Sequence, residues 1–234
     1  MGLFDKFKKN KSEKTENANN TVVKNETDDV YAPGWDAITA ECDKAYPNQP
    51  NPKHYHSSVP WVLGGNDPLQ GISVYDGGSY WHFVTYGLSE LYEKESEIKE
   101  ISGYGMEFIL KLQKGVYGNE ENEENEIRCV CGILNSIARL TFTKGKLFST
   151  YEYLYTGQTD GVDCNRKSNI TGFITVPDDK FHEIETPNGK VCFVEFIGAT
   201  DSELKAIRNK EISVAELFEK LGGDITNYNR KSVM

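Results

Sequence analysis

The chain has 234 residues, 38% hydrophobic and 26% charged, and a formal net charge of −10. That length can bury a sizeable core, and no apolar run approaches the ~20 residues a membrane-crossing helix needs. The acidic balance disfavours direct contact with nucleic acid, whose phosphates repel it, and suits a basic protein partner.

Residues 1–30 carry six Lys and six Asp or Glu, so the whole excess of negative charge falls on residues 31–234. Residues 1–9 are basic, with Leu3, Phe4 and Phe7 at helical spacing, but they cover barely two turns. Lys6 stands where a myristoylation signal wants Ser or Thr, so no stable membrane insertion is expected. Residues 10–30 offer little apolar surface beyond Val22, Val23 and Val30. Such a composition cannot offset the entropy of ordering and predicts a disordered tail over 1–30.

Order is expected from Tyr31, in one domain over 31–234. Trp35, Ile38, Cys42 and Ala45/Tyr46 fall on one helical stripe that Pro47 ends. Residues 72–75 and 80–86 read as strands joined across Asp76-Gly77-Gly78. Met106, Phe108, Leu110 and Leu112 alternate with Glu107, Ile109, Lys111 and Gln113, the pattern of a half-buried strand. A glutamate-rich run at 120–126 leads into Ile127, Val130, Cys131, Leu134, Ile137, Ala138 and Thr141, a long helix with a solvated acidic start. Residues 151–155 and 170–176 are the next strands. Residues 181–186 and 191–197 flank Asn188-Gly189, a hairpin signal, and the second of these is apolar on both faces except for Glu195. Thr200…Glu203 and Ser213…Glu216 are capping boxes before two helices, the second ending at Gly222. The pattern predicts an α+β fold, a largely antiparallel sheet covered by helices.

Little in this pattern is catalytic. Cys42, Cys129, Cys131, Cys164 and Cys192 are odd in number and scattered, which fits a reducing cytosol and not a disulfide framework. There is no P-loop and no Gly-x-Ser-x-Gly elbow, and no cofactor is expected. His54 and His56 share a side of an extended stretch, so a metal-dependent enzyme using His54, His56 and His82 is the rival reading. No carboxylate or thiolate accompanies them at ligand spacing, and His82 reads as a structural histidine between Trp81 and Phe83. The better candidate is a recognition rim where strand 80–86 runs into Gly87-Leu88-Ser89-Glu90-Leu91-Tyr92. Tyr86, Glu90 and Tyr92 would set stiff phenols beside a carboxylate.

Several words of the chain resemble the Suppressor of fused domain. They are Pro33-Gly34-Trp35, Pro47-Asn48-Gln49-Pro50-Asn51-Pro52, Gly64-Gly65-Asn66-Asp67-Pro68-Leu69 and the run from Trp81 to Tyr92. Ser102-Gly103-Tyr104-Gly105-Met106-Glu107-Phe108 and Thr186-Pro187-Asn188-Gly189 follow. The likeness spans about residues 32–222. It implies the α+β sandwich of that family and protein recognition without catalysis. In animal members a Gli transcription-factor peptide adds as a strand between this domain and a second one. No second domain is expected within this length, so that partner is not carried over. For a short, single-domain, bacterial-type member the resemblance implies an immunity-type inhibitor that occludes a cognate toxin. A regulatory adaptor tethered by the basic N-terminus is a further alternative.

Overall fold

The protein is described by a computed structural model over residues 31–234, and the expectation for residues 1–30 lies outside the described residues. Helix α1 (Pro33–Ala45) starts on a proline whose missing N–H is harmless in a first turn, and it buries Gly34, Ile38 and Cys42. Strands β1 (Lys53–Tyr55), β2 (Gly71–Asp76), β3 (Tyr80–Tyr86) and β4 (Ile101–Gln113) follow, then helix α2 (Glu120–Lys144). The chain continues through β5 (Tyr153–Leu154), β6 (Ile170–Val176), β7 (Ile184–Thr186) and β8 (Gly189–Thr200) to α3 (Asp201–Arg208) and α4 (Val214–Leu221). The strands form one sheet in the order β1-β2-β3-β4-β8-β6-β5, with β7 hydrogen-bonded to β8. Every pairing is antiparallel except the central one, β4 with β8. The expected α+β architecture is therefore the observed one.

Three layers follow from which face of each strand is apolar. On one face, Ile127, Val130, Leu134 and Ile137 of α2 pack on Val74, Phe83, Phe108, Leu110, Val194 and Phe196. On the other face, α1 covers Tyr75, Val84, Tyr86, Ile109 and Phe193. Beyond it, α3 and α4 cover Ile174, Val176, Ile197 and Ala199. Both capping boxes form as the spacing predicts, and Gly222 closes α4 in the left-handed region.

Four local expectations change. β4 is not half-buried: Glu107, Ile109 and Lys111 are as enclosed as the apolar alternates, because the strand lies inside the sheet with packing on both faces. The strand expected over 151–155 shrinks to two residues, since Tyr151 takes a φ of 65° and leaves extended geometry. The strand expected from 181 begins at 184, because Asp178 accepts the N–H groups of Lys180 and Phe181 and turns the chain there. The acidic start of α2 is only partly solvated. Glu123 accepts the Trp81 indole N–H, Glu124 accepts the Tyr55 hydroxyl, and Glu126 is buried against the Cys164 N–H.

Candidate functional site

The segment after β3 is where the sequence's distinctive words meet. One oxygen of Glu107 accepts the N–H groups of Gly87, Leu88 and Ser89 and the Ser89 hydroxyl, at 2.7–3.1 Å, while the other takes the Thr85 hydroxyl. Burial pushes the Glu107 pKa up to about 7, and these donors work against that rise. The N–H groups of Gly34 and Trp35 reach Leu91 O, and a Cβ on Gly34 would sit 2.1 Å from Glu90 O. The Asn188 side chain donates to Glu90 O, and the Tyr104 N–H to Leu88 O. Residues 87–104 are thus clamped from three directions.

The expected rim residues occupy different depths of this segment. Tyr86 is 1% exposed, stacked on Trp35 at 4.4 Å, with its hydroxyl against Thr39 and Cys42, so it presents no surface. The Glu90 carboxylate is taken up internally by the N–H groups of Glu95, Ser96 and Gly103 and by the Lys94 ammonium. Burial would raise its pKa, but Lys94 and those amides outweigh it and bring it down to about 2. Tyr92 alone reaches solvent, at 42%. In the same segment, Ile98, Ile101 and Tyr104 are also exposed.

The rings of His54 and His56 stack 6.5 Å apart, but His82 does not join them. His54 sits opposite Ser73 on β2, and Ser73 opposite Val84 on β3. His82 lies two strands over and two residues along, which puts the Cα atoms roughly 11 Å apart by standard sheet spacing. His54 Nδ1 pairs with the Ser73 hydroxyl, and His82 Nδ1 with the Tyr46 hydroxyl at 2.6 Å. His82 is fully buried with Nε2 3.4 Å from Asp178. Burial holds its pKa below the ordinary value, against the pull of that carboxylate.

Beside His82 lies a charge cluster that the sequence pattern concealed. Lys111, 1% exposed, places its ammonium 2.9 Å from Asp178, 2.6 Å from Asp179 and 3.5 Å from Glu195, and also contacts Asp224. Among the described residues, Asp178, Glu195 and Asp224 are the one acidic group close enough to share a cation. The Lys111 ammonium already stands among them. Burial pulls the Lys111 pKa down, yet Glu195, Asp179, Asp224 and Asp178 hold it well above the ordinary range. Glu195 is driven well above the carboxylate range by burial, only partly offset by Lys111.

A large hollow lies elsewhere, on the α2 side of the sheet's far edge. It is an open cleft of about 1110 Å³ between α2 and β5, walled by Ile133, Leu140, Leu154, Val162 and Phe173. β5 ends the strand order and pairs only with β6. Sequence reading missed this cleft. The available signal was Ile133 and Leu140, two apolar residues seven apart on α2 that lie off its main buried stripe.

Comparison with known proteins identifies the frame. The family model for Suppressor of fused protein (SUFU) matches residues 65–231. The chain belongs to the Suppressor of fused family. The Suppressor of fused homologues of Homo sapiens and Mus musculus are each 29% identical over 185 residues, 73% of this chain and 36% of theirs. The chain therefore spans about a third of the curated relatives it matches. The crystal structure of Drosophila Suppressor of Fused superposes with a TM-score of 0.73 at 26% identity, covering 87% of this chain and 52% of that one. The crystal structure of a Sufu–Fu complex gives 0.72 at 26% identity, covering 87% of this chain and 93% of that one. In Suppressor of fused this is a protein-interaction domain, and the latter structure holds it with a second protein. Among the described residues, no helix is long and apolar enough to cross a membrane.

Proposed function

We propose that this chain is a non-catalytic, cytosolic protein-binding domain that takes an extended segment of a basic partner along the cleft between α2 and β5. The observation that carries the reading is the coincidence of a sheet edge with a large, mainly apolar hollow. A segment pairing with that edge would gain main-chain hydrogen bonds, while alternate side chains entered the hollow against Ile133, Leu140 and Phe173. The distance of His82 from the neighbouring His54 and His56, and the Lys111 ammonium in the acidic cluster, weigh against the metal-enzyme alternative. The family's protein-binding role supports recognition. The form proposed is an immunity-type inhibitor occluding a cognate toxin, with the net charge of −10 steering a basic partner.

The test uses a partner purified from the native cell and titrated calorimetrically against folded variants. Leu140→Ser and Leu154→Arg should each weaken binding by about 2 kcal/mol or more, the usual cost of losing a buried anchor. Wild-type affinity in both would end the cleft reading. If the partner binds but its own activity is unaffected, the inhibitor form fails and protein binding stands. A second reading is favoured by the exposure of Tyr92, Ile98 and Tyr104 on the clamped segment: a rim with Tyr92 in contact and Tyr86 and Glu90 as its supports. Weakening by Tyr92→Ala, with the cleft variants silent, would select it.

A further inference from the structure

Next to the cleft, with Asp163 lining both, four segments of the chain close a polar pocket of about 310 Å³. Tyr117 comes from the turn after β4, Glu126 from α2, Asp163 from the loop before β6, and Tyr228 from the C-terminal stretch. Glu126 is buried and gives Oε2 to the Cys164 N–H at 3.0 Å; its Oε1 has no hydrogen-bond partner among the described residues. The Tyr117 hydroxyl is enclosed and unpartnered. Tyr228, only 6% exposed, lines the pocket with a hydroxyl that also has no hydrogen-bond partner among the described residues. The two rings stand edge to face at 6.3 Å. Asp163 accepts the N–H groups of Lys167 and Ser168. Burial would raise its pKa, but those bonds hold it below the ordinary value and keep it ionised.

We propose that this pocket binds a primary alkylammonium group. The chemistry is selective. Lys167 also lines the pocket, but beside it the site offers a fixed negative charge, a second carboxylate oxygen and phenol oxygens with their aromatic rings, and an ammonium brings three donors and no acceptor. A hard divalent ion asks for six or more oxygen ligands, and here both Asp163 oxygens and one of Glu126 are already committed to backbone amides. The acidic body raises the local concentration of any such cation. Two sources share this chemistry, a lysine side chain of the bound partner, which rests on the proposed function, and a free polyamine, which does not.

The experiment is a ¹H–¹⁵N NMR titration of the full chain with n-butylammonium, and with n-butanol as the uncharged control. The expected result is saturable shifts at residues 116–117, 126, 163–169 and 228–229, with a dissociation constant on the order of 1 mM. Burial and the neighbouring Asp163 raise the Glu126 pKa, and a bound ammonium would favour its ionised form, so Glu126→Gln should weaken binding about tenfold, the loss of a charge-assisted bond. Tyr228→Phe, which keeps the packing if Glu126→Gln does not fold, should weaken it several-fold. Shifts that fail to saturate, that n-butanol reproduces, or that neither variant alters overturn the proposal. Nα-acetyl-lysine N-methylamide binding at least as tightly as spermidine assigns the group to a protein side chain, and the reverse order assigns it to a polyamine. Partner affinity in the same variants keeps the two sites separate, because a failed cleft shows in Leu140→Ser and a failed pocket in Glu126→Gln.

Discussion

Replacing Lys111 with methionine isolates what the central charge cluster contributes. Methionine keeps most of the side-chain volume and removes the one ammonium among Asp178, Asp179, Glu195 and Asp224. Asp179 is largely solvated and Asp224 partly so, and both can recover hydration. Asp178 cannot, because its side chain is fully buried: one oxygen keeps the Lys180 and Phe181 N–H groups, but the other is left facing a neutral, buried His82. Removing one partner from such a pair typically costs about 3–5 kcal/mol, since an uncompensated charge stays enclosed. We therefore expect Lys111→Met to lower stability by that amount at pH 7. Glu195→Gln should cost less than about 1 kcal/mol, because burial already favours the neutral form of that carboxyl. The pH dependence has a definite sign. A carboxyl whose pKa rises on folding adds stability below its unfolded value of 4.5, and that contribution is lost as pH climbs through the folded value. Glu195→Gln should therefore gain on the wild type as pH rises from 4.5 towards neutrality. Urea denaturation at a series of pH values, with the slope checked for constancy, measures all three effects. A Lys111→Met variant within 1 kcal/mol of wild type, or a Glu195→Gln variant as damaged as Lys111→Met, would refute the assignment of charges.

Two further outcomes are expected. The Glu90 carboxyl falls from 4.5 to about 2 on folding, so its stabilisation is complete above 4.5 and is lost as pH drops through 2; Glu90→Gln should remove on the order of 2 kcal/mol and flatten that acid limb in urea melts. Residues 1–30 are proposed to lie outside the folded domain, so a chain starting at Tyr31 should keep the full-length thermal midpoint in calorimetry, and a fall of several degrees would count against that boundary.

What the sequence made legible divides along a physical line. Apolar periodicity reports burial directly, so α1, α2, β3, β6 and the two capped helices were readable from spacing alone. The glycine words also had local meaning. Gly34 is required because Glu90 O approaches to within 2.1 Å of where a Cβ would be, and Gly189 holds a φ of 108° at the β7–β8 turn. These words mark the clamp around residues 87–104, so the most specific part of the family resemblance reports how the domain is held together. It says little about which surface meets a partner. Tyr86 illustrates the point, because a tyrosine at a strand end reads as an anchor for a partner when its real partner is α1.

The charged positions show where such reading stops. Glu107 and Lys111 alternate with apolar residues as solvent-facing positions do, and Ile109 between them is the one local sign that this face is covered. The groups that make burial tolerable for Lys111 are Asp179 and Asp224, 68 and 113 residues away along the chain. An enclosed charge is stable only when distant segments deliver its counter-charges, so its burial is a property of topology and not of pattern. The same holds for both proposed binding sites. The cleft needs β5 to be the last strand of the sheet, and the proposed ammonium pocket needs Asp163 and Tyr228, 37 and 102 residues on, to close over Glu126. Local pattern therefore describes the scaffold well, while the places where this domain can recognise something exist only once the chain has folded.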